Sequence, residues 1–212
     1  RLAWEPSLSA DAILAEWIRL TFPAEPAAHP VVADILRGSW PVYESYTAPL
    51  GVGWMVTPQT HYGPSVDGYE YSRWGTYHFA DRDGLGVDRT VATGSGFAGQ
   101  YPPARARQYE DLATCPDELL LFFHHVPYSH VLRSGKTVIQ HIYDSHFAGV
   151  EQVAAMVAAW LALAGSVEGA SYDNVLDRLQ RQLRSAREWR DQVNTYFWRK
   201  SGVPDAHGRT IY

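Results

Sequence analysis

Residues 171–198, SYDNVLDRLQRQLRSAREWRDQVNTYFW, decide the fold class. Leu176, Leu179, Leu183 and Ala186 recur at alternating spacings of three and four, and Trp189, Val193, Tyr196 and Phe197 continue the stripe. That is the period of an amphipathic helix. Ser171 stands at its start as a cap. Asp177 and Arg181 form an i,i+4 pair with the acid on the favourable N-terminal side. At about 1.5 Å per residue, a helix from Tyr172 to Trp198 is about 40 Å long. Such a helix makes one wall of a domain, with the helix before it antiparallel.

Working outward from it, Thr137 opens a segment with apolar positions at Val138, Ile142, Val150, Val153, Val157 and Leu161. Gly149 is expected to kink or split this helix, and Gly165 to end it. Ser134-Gly135-Lys136 reads as a turn. Earlier still, Thr114 and Asp117 have the spacing of a capping box, with Pro116 early in the first turn and the apolar run Leu119 to Phe123 behind it. Near the start of the chain, Ser7 to Phe22 reads as a helix. Ser9 caps it, Asp11 sits in its positive first turn, and Ile13, Leu14, Trp17 and Ile18 share a face before Pro23 and Pro26. A short helix over Val31 to Arg37 is expected next, closed by Gly38 in a left-handed cap.

From Trp40 to Tyr109 neither period holds. Glycines and prolines interrupt the stretch throughout, and 13 aromatic residues lie in it. Disordered segments are poor in aromatics, so this region is folded against something. The expected fold is mainly α: one helical domain over residues 1–212, with long antiparallel C-terminal helices and an irregular aromatic- and Gly/Pro-rich loop region.

Composition removes several functions. The chain has 212 residues and a formal charge of −5, which leaves no basic field for a nucleic-acid backbone. Its single cysteine, Cys115, excludes an internal disulfide and a multi-cysteine zinc site. No apolar run approaches the roughly 20 residues of a membrane span. The chain begins at Arg1, with neither an initiator Met nor a signal sequence, and so reads as processed or as a piece of something longer. A lone cysteine and no signal sequence permit the cytoplasm, the location expected here, with the periplasm and secretion left open.

Short motifs carry little. Residues 94–99 match G-x-G-x-x-G letter for letter, but no buried strand precedes them and Pro102-Pro103 follows where a helix would have to continue. Asp81-Arg82-Asp83-Gly84 opens like a calcium loop, yet the twelfth position is Ala92, so a turn closed by Asp side chains is the reading. His124, His125, His130, His141 and His146 lack any metal-binding spacing. They read as satisfied or surface histidines. Cys115 reads as a small buried residue, and no G-x-S-x-G is present.

The aromatic stretch from Gly51 to Pro103 remains. Trp74 lies beside Arg73 and near Tyr71, Tyr77 and His78. Flat rings next to Arg, Asp and His suit a sugar, whose apolar face stacks while its hydroxyls or carboxylate find polar partners. The same residues suit packing against another domain. Composition does not separate the two.

At this point whole segments are recognisable. Gly68-Tyr69-Glu70-Tyr71-Ser72-Arg73-Trp74-Gly75-Thr76-Tyr77-His78 and Gly86-Val87-Asp88-Arg89-Thr90 resemble the C-terminal region of glycoside hydrolase family 67, the α-glucuronidases. So do residues 115–128, 134–144, 188–191 and 194–197, and the likeness covers nearly the whole chain. The resemblance implies a three-domain enzyme of xylan degradation. Its N-terminal α/β domain and (β/α)8 barrel are followed by a helical domain that wraps the barrel and supplies much of a homodimer interface. Residues 1–22 would include the last barrel helix. The implied reaction removes α-1,2-linked glucuronic acid, or its 4-O-methyl ether, from xylo-oligosaccharides with inversion and without metal or other cofactor.

Inversion needs an acid and a base roughly 6.5–9.5 Å apart on a rigid frame. In the family these belong to the barrel, which usually takes about 250 residues. No catalytic residue is therefore expected in this chain, and Glu70, Asp81 and Asp88 are structural at most. The resemblance carries a sugar-stacking role to Trp74. Arg73, His78, Asp88 and Arg89 would support its loop or line the pocket. The alternative is a stand-alone carbohydrate-binding module, which neighbouring coding sequence would distinguish.

Overall fold

The structure is a computed structural model that describes residues 1–69 and 78–211. Its described residues are mainly helical: α1 (Ala10–Thr21), α2 (Ala28–Thr47), α3 (Pro103–Glu110), α4 (Asp117–Phe123), α5 (Val138–Leu161) and α6 (Gly169–Ser201). One two-stranded antiparallel ladder joins β1 (Gly84–Leu85) to β2 (Val126–Pro127), pairing Gly84 with Pro127 and Leu85 with Val126. The chain divides into two compact units. The first holds residues 1–43 and 151–185, and the second holds residues 44–150 and 186–212.

In the first unit, Ser9 caps α1 as expected, its hydroxyl accepting from the Ala12 amide at 3.1 Å. The core gathers Ile18, Val32, Val157, Trp160, Leu163, Val167 and Leu179. Trp160 stacks on Tyr172, with ring centroids 6.1 Å apart and planes at 19°. Its indole nitrogen donates to the Tyr172 carbonyl at 3.1 Å.

Two expectations fail in this unit. Gly38 closes nothing, because α2 runs through it and through Pro41 to Thr47. A Cβ on Gly38 would lie 3.3 Å from the Met156 methyl, so glycine serves close packing there rather than a left-handed cap. Burial of Val32 and Val42 holds the helix where local propensity predicts a break. At α6, Ser171 is not the cap. The Glu168 carboxylate accepts from the Ala170 and Ser171 amides at 3.0 and 2.8 Å and satisfies the orphan donors itself.

In the second unit, α5 and α6 run antiparallel as expected: Arg190 lies over the Phe147 ring and Asn194 meets His146, so rising numbers on one helix face falling numbers on the other. Gly149 does not break α5. A Cβ there would sit 2.9 Å from Tyr46, so the glycine marks a close crossing of backbones. No capping box forms at α4. The Thr114 hydroxyl donates back to the carbonyls of Gln108 and Asp111, Pro116 occupies the cap, and Asp117 accepts from the Arg133 amide at 2.9 Å.

Among its described residues, the long stretch expected to be irregular is mostly so, though it contains the end of α2, two single turns of 3-10 helix, β1 and α3. Pro103, counted as a breaker, stands in the first turn of α3, where its missing amide costs nothing. The tail after α6 is clasped. Arg209 grips the buried Asp205 and also reaches Asp144 on α5, while Gln140 donates to Asp205 at 2.7 Å.

Candidate functional site

Glu70, Tyr71, Arg73, Trp74 and Tyr77 lie outside the described residues. The other residues singled out from sequence, His78, Asp88 and Arg89, are in the second unit. The segment from Gly86 to Thr90 is threaded along α4, with Val87 and Arg89 amides donating to the carbonyls of Leu121 and Phe123 at 3.0 and 2.9 Å. Glycine is required at 86 by a φ of +94° and by the His124 carbonyl, which occupies the space of a Cβ.

That threading fixes what each side chain faces. Arg89 is buried; it donates to the Phe122 carbonyl and stacks its guanidinium 4.2 Å above the Phe122 ring. Asp88 turns the other way and organises the following loop. It accepts from the hydroxyls of Thr90 and Thr93, both at 2.7 Å, and from the Thr90 amide at 3.1 Å. Partial burial pushes its carboxyl upward, but these hydrogen bonds outweigh it and hold the carboxyl below its ordinary value. His78 is fully buried against α6, edge-on to Tyr196 and Phe197 at 6.1 and 6.3 Å.

The other motifs have local explanations. The Asp81 carboxylate accepts from the amides of Asp83 and Gly84 at 2.8 and 2.9 Å, which is the turn expected there. His124 bonds the Tyr109 carbonyl, His125 the Gly86 carbonyl, and His146 the Asn194 side chain. Burial pushes the Cys115 thiol up to about 11, so it stays protonated and unreactive near neutral pH. Residues 94–99 turn tightly around Asp88, whose carbonyl occupies the space a Cβ on Gly94 would take.

Trp54 and Tyr69 are among the aromatics of the irregular stretch, and their grouping with His61 is not apparent from sequence. The Trp54 ring meets His61 at 4.9 Å and 78°, and Tyr69 at 5.6 Å and 63°. Leu50, Trp54, Gln59 and His61 all have φ between +53° and +70°. A left-handed conformation costs an L-residue roughly 1–2 kcal/mol, so four within twelve positions is a strained segment of the sort that collects at binding sites. None of these residue types advertises positive φ. A glycine before Trp54 and Pro58 before Gln59 were the available hints.

A cavity of about 560 Å³ lies beside the same segment, bounded by Val66 and by Gln192, Thr195, Tyr196, Arg199 and Lys200 on α6. Its size suits a small ligand. Tyr196 links it to His78.

The family model described as Glycosyl hydrolase family 67 C-terminus matches residues 1–210. The chain belongs to that family. Among curated proteins it is similar to the probable alpha-glucuronidase A of Aspergillus oryzae, 45% identical over 210 residues. The alpha-glucuronidase A of Emericella nidulans is 42% identical and that of Aspergillus tubingensis 41%, each over 210 residues. Each alignment takes in 99% of this chain and 25% of the relative, so the chain spans about a quarter of their length.

Proposed function

We propose that this chain is the C-terminal part of an α-glucuronidase that removes α-1,2-linked (4-O-methyl)glucuronic acid from xylo-oligosaccharides with inversion. The observation that carries the reading is the family match over residues 1–210. In it, the catalytic carboxylates belong to a (β/α)8 barrel in the rest of the enzyme, and residues 1–22 include its last helix. This chain packs on the barrel, closes the sugar pocket with Trp74, and takes part in a homodimer. Arg73, His78, Asp88 and Arg89 serve the Trp74 loop.

Five of the described carboxyl groups fit this division of labour. An inverting pair needs an acid held above its usual range. Asp81, Asp88, Asp144, Glu168 and Asp205 are all held below theirs by hydrogen bonds or cations. Asp88 and Arg89 are committed to their own loop and to Phe122, which fits support of a wall rather than chemistry.

Assaying glucuronic acid release from aldouronic acids tests the reading. The chain alone should release none, and the chain joined to a family barrel should release it as the β-anomer. Release by the chain alone would move the carboxylates into it and overturn the proposal.

A further inference from the structure

The exposed residues of the segment 52–69 have a consistent chemistry. Of its aliphatic side chains, Val52 and Met55 are fully buried and Val56 and Val66 half-buried. What faces solvent is Trp54, Thr57, Gln59, Thr60, His61, Tyr62 and Asp67. Trp54 keeps 42% of its surface exposed while His61 and Tyr69 brace it at steep angles. The mount is firm: Ser65 and Thr57 amides donate to the carbonyls of Met55 and Tyr62, both at 2.7 Å, and Gly63 sits directly against Trp189 of α6.

A braced indole ringed by hydroxyl, amide, imidazole and phenol groups matches a pyranose, which presents a face of C–H groups and a rim of hydroxyls. A protein surface would ask for exposed aliphatic side chains among the rings, and here every exposed residue is aromatic or polar. The charge of the sugar follows as well. Residues 52–69 contain no Lys or Arg, and the segment's carboxylate, Asp67, is exposed. Within the segment a uronic acid would meet that carboxylate and no cation, the nearby Arg199 and Lys200 belonging to the cavity beside Val66.

We infer that Trp54, braced by His61 and Tyr69, is a stacking platform for an uncharged pyranose, namely a xylose unit of the oligosaccharide main chain. The inference deepens the function proposed above and rests on it for the identity of the sugar. Trp54 supplies the stacking face, and His61 and Tyr69 take hydroxyls at its edge.

Calorimetric titration of the full chain with xylotetraose tests it. The wild type should bind at concentrations up to about 10 mM, and Trp54→Ala should weaken binding about tenfold or more. Trp54→Phe should keep part of the affinity, and His61→Ala should lose about threefold at an unchanged circular dichroism spectrum. Glucuronic acid alone should give no heat. Lack of xylotetraose binding by the wild type, or equal binding by Trp54→Ala and wild type, overturns the platform. If Trp54→Ala does not fold, equal binding by Trp54→Phe, His61→Ala and wild type does so. The enzymatic reading fails separately: a chain that binds xylotetraose through Trp54 yet supports no glucuronic acid release with a barrel keeps the platform and loses the reaction.

Discussion

The Arg89 guanidinium does two jobs at one place, bonding the Phe122 carbonyl and covering the Phe122 ring. Removing it strands a carbonyl beneath the Asp88 loop, and buried unpaired groups are costly. Arg89→Ala should therefore destabilise the chain by about 2–3 kcal/mol, read as a lowered urea midpoint. Arg89→Lys should recover only part, since an ammonium has no flat face to stack. Trp74 is a different case, proposed to touch sugar. In an intact enzyme Trp74→Ala should raise KM for aldouronic acids about tenfold or more. Unchanged KM and kcat would remove Trp74 from the site. The residue types at 88 and 89 were legible as important in sequence; Asp88 finds Thr90 and Thr93 nearby, but the partners of Arg89 were not legible. Phe122 and Phe123 lie more than thirty positions away, and only the threading along α4 brings them there.

At the level of elements, the helices were legible where apolar spacing ran long. Ser171 to Trp198 lies wholly inside α6, and Ser9 caps α1 as read. The boundaries were not, because several residue types answer to more than one physical demand. Gly38 and Gly149 read as punctuation yet are small for packing. Glu168 reads as an ordinary acid yet takes the cap from Ser171. Hydrogen exchange separates the last pair. Glu168→Ala should speed exchange at the amides of Ala170 and Ser171, while Ser171→Ala should leave their protection close to wild type. The candidate site was legible as an aromatic-rich region and illegible as geometry, since neither the positive φ at Trp54 and His61 nor the close approach of Gly63 to Trp189 is written in residue type.

For the whole molecule, pH is a decisive variable. Burial, opposed by hydrogen bonds to Asn194 and the Ile142 carbonyl, pushes the His146 imidazole down to about 4. The folded chain thus binds this proton less readily than the unfolded chain, whose histidine titrates near 6.5. Stability is unaffected by His146 above that value and falls as pH drops from about 6.5 toward 4, by roughly 3 kcal/mol in all. Urea unfolding at pH 7 and pH 4.5 should display the loss, and His146→Gln should flatten it. The depressed aspartates act below this window, at more acidic pH.

A second property concerns the first unit alone. Leu36, Trp40 and Tyr43 form a stripe at i, i+4 and i+7 of α2, with Trp40 66% exposed, and Leu20 of α1 is 75% exposed. Unlike the segment around Trp54, this surface mixes rings with aliphatics, as protein interfaces do. The isolated chain should self-associate in sedimentation experiments, and Trp40→Lys with Leu20→Lys should return it to monomer. A wild type that stays monomeric at high concentration would argue that the stripe needs no cover.

The clasp on the tail has one more consequence. The Asp205 side chain is 1% exposed, so dissolved ions cannot interpose between it and Arg209. The open Arg37–Asp11 pair has no such shelter and fades in brine. An exopeptidase trimming the chain from its carboxyl end would thus stall at Arg209 even in concentrated salt, leaving the last turn of α6 protected behind it.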